Sequence, residues 1–133
     1  MKLEFLKDTS QDGHYSDEVN EQLIRLYDFD SVEAKQFCLS IQDNLINKKQ
    51  SLDFSSLDFI EPVNCNLILQ LSETNEGINT IDNKNFICNL TIENYQEIIK
   101  LCEPFCQNKS RGFRWLYELD APIDFLFSPR GTW

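Results

Sequence analysis

The stretch RGFRWLYELDAPIDFLFSPRGTW, residues 111–133, carries six of the sixteen aromatic side chains in the chain. It contains two runs with a period of two. Phe113, Trp115 and Tyr117 alternate with Arg114, Leu116 and Glu118, and Ile123, Phe125 and Phe127 alternate with Asp124 and Leu126. Such alternation marks a strand with one buried face. ELDAP supplies a turn between the runs, and SPRG has the proline and glycine placement of a type I turn. The segment is therefore predicted to be a β-hairpin in which Phe113, Trp115, Phe125 and Phe127 close a core. Each such ring can bury about 150–250 Å². Trp133 lies beyond the second turn, where it is either a packed plug or an exposed contact.

Upstream of the hairpin lies a helix. Thr91 is a suitable N-cap, Leu90 and Tyr95 are spaced as a hydrophobic staple, and Tyr95, Ile98, Ile99 and Cys102 recur at helical spacing. Pro104 disfavours helical geometry at the residue before it, so the helix is predicted to stop near Cys102. Before it come two alternating runs. CNLILQL (65–71) puts Cys65, Leu67, Leu69 and Leu71 on one face and Ile68 on the other. NFICNL (85–90) puts Phe86, Cys88 and Leu90 on one face and Ile87 on the other. ETNEG (73–77) reads as a loop, and SLDFSSLDFI carries its apolar residues in short bursts.

A first helix is predicted from about Ser31 to about Asn47. Asp30 and Glu33 form a capping-box pattern, and Phe37, Cys38, Ile41 and Leu45 follow at helical spacing. MKLEFL alternates as a strand, and residues 9–20 are polar. EQLIRLYDF (21–29) fits a strand or a helix by its pattern, and the helix that starts directly after it favours the strand. The expected order is β-β-α-β-β-β-α-β-β. The expected architecture is one α+β domain over residues 1–133, a mostly antiparallel sheet with two helices packed on one face.

Composition bounds the function. At 133 residues, with 41% hydrophobic and 26% charged side chains, the chain can bury a core without metal or disulfide staples. Twelve asparagines and twelve isoleucines against two alanines fit the codon usage of an AT-rich bacterial genome. The N-terminal residues lack the apolar core of a signal peptide, and no apolar run approaches a membrane span, so a cytoplasmic location is expected. Five cysteines, an odd number, then fit reduced thiols.

The net charge is −10. Residues 51–106 hold nine acids and two lysines, a net of −7, whereas residues 107–133 hold three acids and four bases, a net of +1. This sign argues against direct nucleic-acid binding and for a basic protein partner. Asp53, Asp58, Glu61, Glu73 and Glu76, on or near expected turns, are the candidate contacts, with Trp133 as a possible aromatic anchor.

Catalytic and metal patterns are sparse. His14 is the single histidine and sits in a polar stretch. Cys102 and Cys106 are spaced as helical metal ligands, but Pro104 lies between them and there is no CxxC pair. Asp28, Asp30 and Glu33 at a strand end could hold magnesium, although capping explains Asp30. The glycines at 13, 77, 112 and 131 make no phosphate-binding loop. Lys109, Arg111 and Arg114 form the one basic cluster, at a position where cations complement a helix C-terminus. The expectation is a non-catalytic, acidic protein-binding module without a cofactor, in its sharpest form an inhibitor or immunity-type protein for a basic partner. The alternative is a small enzyme or ligand-binding domain with a pocket between helices and sheet.

Overall fold

A computed structural model describes residues 1–7, 22–107 and 112–130. Its elements are β1 (Lys2–Lys7), β2 (Gln22–Tyr27), α1 (Ser31–Ile41), β3 (Leu52–Asp53), β4 (Glu61–Pro62), β5 (Asn66–Leu71), β6 (Gly77–Thr80), β7 (Asn85–Leu90), α2 (Ile92–Cys106), β8 (Arg114–Trp115) and β9 (Asp124–Ser128). The class is α+β. The strands form two sheets, in the orders β4-β1-β2-β9-β8 and β3-β5-β7-β6.

Both sheets are mixed, which corrects the expectation of one mostly antiparallel sheet. β1 and β2 pair antiparallel, but β9 lies parallel to β2, with Ile24 opposite Phe125 and Leu26 opposite Phe127. In the second sheet β5 and β7 are parallel, while β6 pairs antiparallel with β7. The physical reason is burial. Leu23, Ile24 and Leu26 of β2 and Phe125, Leu126 and Phe127 of β9 are all fully buried, so these strands are covered on both sides. Parallel strands in natural sheets carry such continuous apolar runs.

The first helix begins as its sequence requires. The Asp30 carboxylate accepts the Glu33 amide at 2.9 Å. Glu33 does not complete a capping box, because its own carboxylate pairs with the Met1 amino group. The helical path continues past Ile41 to Asn47, but Gln42–Asn47 widen into a π-helical turn. Phe37, Cys38, Ile41 and Leu45 are all buried along it.

In α2 the Thr91 hydroxyl accepts the Asn94 amide at 3.2 Å. The helix does not stop at Cys102; it runs through Pro104 to Cys106. Packing explains the extension. Phe105 is buried and meets the Phe127 ring edge-on at 5.1 Å, and that contact is made from the last turn.

The helices do not line one face of one sheet, which is the second correction to the expected architecture. They pack against each other and between them touch both sheets. Phe37 of α1 stacks on Phe127 of β9 at 5.4 Å. Tyr95 of α2 places its hydroxyl between the carbonyl oxygens of Gln70 (2.6 Å) and Cys88 (2.9 Å), which clamps the helix to β5 and β7. One continuous apolar core joins helices and sheets.

The C-terminal hairpin exists but is short. β8 pairs with β9 only at Arg114–Phe127 and Trp115–Leu126. Phe125 and Phe127 close the core, whereas Phe113 and Trp115 are only half-buried, because β8 is an edge strand. The segment between them turns inward through Leu116 and Tyr117, both buried. The Tyr117 hydroxyl donates to the Ile123 carbonyl and accepts the Ile78 amide at 3.1 Å, tying the two sheets together. Gly77 makes this approach possible: its φ is +82°, and a Cβ there would lie 2.8 Å from Ala121 Cβ. Among the described residues, no helix is long and apolar enough to cross a membrane.

Candidate functional site

The inner side of the second sheet is filled by Leu67, Leu69, Ile78, Phe86, Cys88 and Leu90, all buried. Strand geometry sends the intervening residues to the opposite side. The register sets them in rows. Asp53, Ile68, Ile87 and Asn79 are successive partners across all four strands; Asn66 lies opposite Asn85, and Gln70 opposite Asn89. The outer face is therefore an isoleucine pair framed by amides. Ile87 is 39% exposed, and Ile81, at the sheet's end, is fully exposed. Together with Thr80, Asp82 and their neighbours these side chains line an open groove of about 410 Å³.

Carboxylates stand around it. Asp53 flanks the isoleucine row on the β3 edge and accepts a hydrogen bond from the Asn66 side-chain amide at 2.9 Å. Burial opposes ionisation of Asp53, but hydrogen bonds from Asn66 and Ser55 outweigh it and hold the carboxyl below its ordinary range. Asp82 closes the end of the face beside Asn66 and Asn85. Its carboxylate accepts the backbone amides of Asn85 (2.9 Å) and Lys84 (3.0 Å), and these bonds lower its pKa to about 2. Glu73 and Glu76 lie in the loop at the other end, where the Glu76 amide bonds the Asn89 carbonyl at 2.9 Å. Lys84 is the base within this frame, in the same turn as Asp82.

The acids singled out from sequence thus divide. Asp53 stands in the outer row of the second sheet, opposite Ile68, and Glu73 and Glu76 lie in the loop between β5 and β6. Glu61 lies on β4, the edge of the first sheet, and Asp58 is exposed in the turn before it. Trp133 lies outside the described residues, as do His14, Lys109 and Arg111. Asp82 and Ile81 belong to the site and were missed. Asp82 had a signal, since an Asp in a polar turn can accept the backbone amide two residues on, here that of Lys84.

The remaining carboxylates near strand ends are engaged elsewhere. Asp28 pairs with Lys2 at 3.4 Å, Asp30 caps α1, and Glu33 pairs with Met1. Among the described residues, no group of three or more His, Cys, Asp or Glu side chains could hold a metal ion.

A second groove, of about 440 Å³, runs between α2 and the segment 113–118. Asn94, Glu97 and Leu101 line one side; Arg114, Trp115 and Glu118 line the other. The Phe113 and Trp115 rings meet edge-to-face at 6.0 Å beside it.

No family model matches the chain, and no curated protein or solved structure matches it.

Proposed function

We propose that this chain is a protein-binding module whose second sheet presents its outer face to a basic partner. The observation that carries the reading is the cross-sheet arrangement itself: the Ile68–Ile87 pair inside a frame of asparagine amides, with Asp53 and Asp82 at its borders and Glu73 and Glu76 in the loop that leads into β6. An apolar centre with a polar, charged rim is how protein interfaces are built. The rim is of one sign apart from Lys84, which suits a partner rich in lysine and arginine.

The net charge of −10 supports a sharper form of the same reading. An inhibitor or immunity-type protein occupies the basic cleft of a nucleic-acid-cleaving enzyme by offering carboxylates where phosphates would lie. The amides and acids of this face are of that chemistry.

The test compares retention of basic proteins from native lysate at low salt by the wild-type chain, by Ile68→Lys/Ile87→Lys and by Glu73→Lys/Glu76→Lys. A basic protein held by the wild type should be lost from the isoleucine variant. It should associate more slowly with the glutamate variant, and more slowly with the wild type as salt rises. No retention at low salt, or retention indifferent to both pairs of substitutions, overturns the reading.

A second reading, a small-ligand pocket, rests on the groove between α2 and residues 113–118. There Trp115 offers a flat apolar surface beside Arg114, Glu97 and Glu118. Protection of Trp115 fluorescence from a soluble quencher by a small-molecule pool, with loss of that protection in Arg114→Ala, would favour it.

A further inference from the structure

We propose that Cys38 and Cys106 are a redox-active pair, and that a hydroperoxide converts them to a disulfide that staples α1 to α2. The helices pack directly against each other, and this pair lies in their interface. The two sulfurs are 3.6 Å apart. A disulfide requires about 2.05 Å, so a shift of about 1.5 Å joins them. The partners are far apart in sequence, 68 residues, so the bond would close a long loop.

The surroundings give the two thiols different parts. Cys38 Sγ faces Cys106 and lies 4.0 Å from the Ile99 carbonyl. Hydrogen bonding with the neighbouring Cys102 and Cys106 thiols lowers its pKa, against the opposing effects of burial and of Glu103. Cys106 is pushed up to about 12 by burial and by the charge on Cys38, with Lys35 pulling the other way. Of the two, Cys38 is the thiol whose ionisation is eased and Cys106 the one whose ionisation burial opposes, so Cys38 is the first to react. The thiolate is the form that attacks peroxide. Cys106 is half-buried and Cys38 is 8% exposed, so the pair sits at the margin of the core, whereas Cys102 and Cys88 are fully buried. The last turn of α2 also lacks a backbone donor at Pro104, so the Lys100 carbonyl has no helical bond from that position.

The chemistry balances. The Cys38 thiolate attacks one oxygen of hydrogen peroxide; the O–O bond breaks, a sulfenic acid forms, and the departing hydroxide takes up the proton that Cys38 had released. The Cys106 sulfur then attacks the Cys38 sulfur. The S–O bond breaks, the S–S bond forms, and the leaving oxygen departs as water with the Cys106 proton. Two thiols have lost two electrons and two protons, and one peroxide has become two waters. The helices lie on the inner side of the second sheet, so the step leaves the outer groove unchanged and does not depend on the partner reading.

The test treats the full chain with hydrogen peroxide in molar excess, unfolds it, alkylates the remaining thiols and maps the peptides without reductant. The expected result is a peptide pair linked through Cys38 and Cys106, alkylation of Cys65, Cys88 and Cys102, and full reversal by dithiothreitol. Cys106→Ser should give no linked pair and instead a sulfenic acid on Cys38 that dimedone traps. Cys102→Ser should still form the bond. Alkylation of all five thiols after treatment, a link through Cys102 in place of Cys106, or a disulfide found only between chains overturns the proposal.

Discussion

Tyr117→Phe removes one oxygen from the junction of the two sheets. In the wild type that oxygen donates to the Ile123 carbonyl and accepts the Ile78 amide at 3.1 Å. Ile78 and Ile123 are buried, as is Tyr117 itself, so water does not replace the lost partner. An orphaned buried amide costs about 1–3 kcal/mol, and a carbonyl with a remaining lone pair costs somewhat less. The substitution should therefore destabilise the chain by about 2–4 kcal/mol. With a urea dependence near ~2 kcal/mol/M, the unfolding midpoint should fall by about 1–2 M. Far-ultraviolet circular dichroism in urea measures this. Tyr27→Phe is the control: the Tyr27 ring is half-buried and stacks under Arg25 at 4.0 Å, so loss of its hydroxyl should change stability by less than ~0.5 kcal/mol. A Tyr117→Phe midpoint within ~0.3 M of wild type would mean that the hydroxyl does not join the sheets, since even one orphaned amide should exceed that shift.

Gly77→Ala should destabilise by more than ~1 kcal/mol, because φ of +82° strains any side chain and the new Cβ would press on Ala121 at 2.8 Å; thermal unfolding measures it. Asp30→Ala should cost about 0.5–2 kcal/mol through loss of the α1 cap, with Asp30→Asn nearly neutral in the same assay. Asp82 should titrate near pH 2 by carboxyl NMR, below the ordinary ~3.9. A depressed folded pKa means that its contribution to stability is complete above about pH 4 and is lost as pH falls toward 2, and Asp82→Asn should flatten that part of the stability profile.

Local signals were legible in the sequence, and pairing was not. The period of two in CNLILQL and NFICNL placed Leu67, Leu69, Phe86 and Cys88 inward and Ile68 and Ile87 outward, because neighbouring side chains in a strand must point to opposite faces. Asp30 and Thr91 were readable as caps because a cap is a contact over three residues. An apolar run such as IDFLF says that a strand is buried but not which strand lies beside it, so the parallel pairing of β9 with β2 and of β5 with β7 was hidden. β6 is four residues long and begins at a glycine, too short to show a pattern. Phe113 and Trp115 alternate like core residues, yet β8 is an edge strand and leaves them half-buried. Pro104 misled because its local preference is overridden by Phe105 packing on Phe127. The acids could be grouped by charge along the chain, but only the two-sheet topology shows that Asp53 belongs to the second sheet while Glu61 lies on the first.

The outer face is tested most directly by an NMR titration of the isotope-labelled chain with the basic protein retained at low salt. It follows the isoleucine methyls and the asparagine side-chain amides. The expected result is displacement of the Ile68, Ile81 and Ile87 methyls and of the Asn66, Asn79, Asn85 and Asn89 amides, the groups that line the outer groove. Displacement of Leu101, Trp115 and Leu116 around the α2 groove, with the outer-face isoleucines unmoved, would contradict the account.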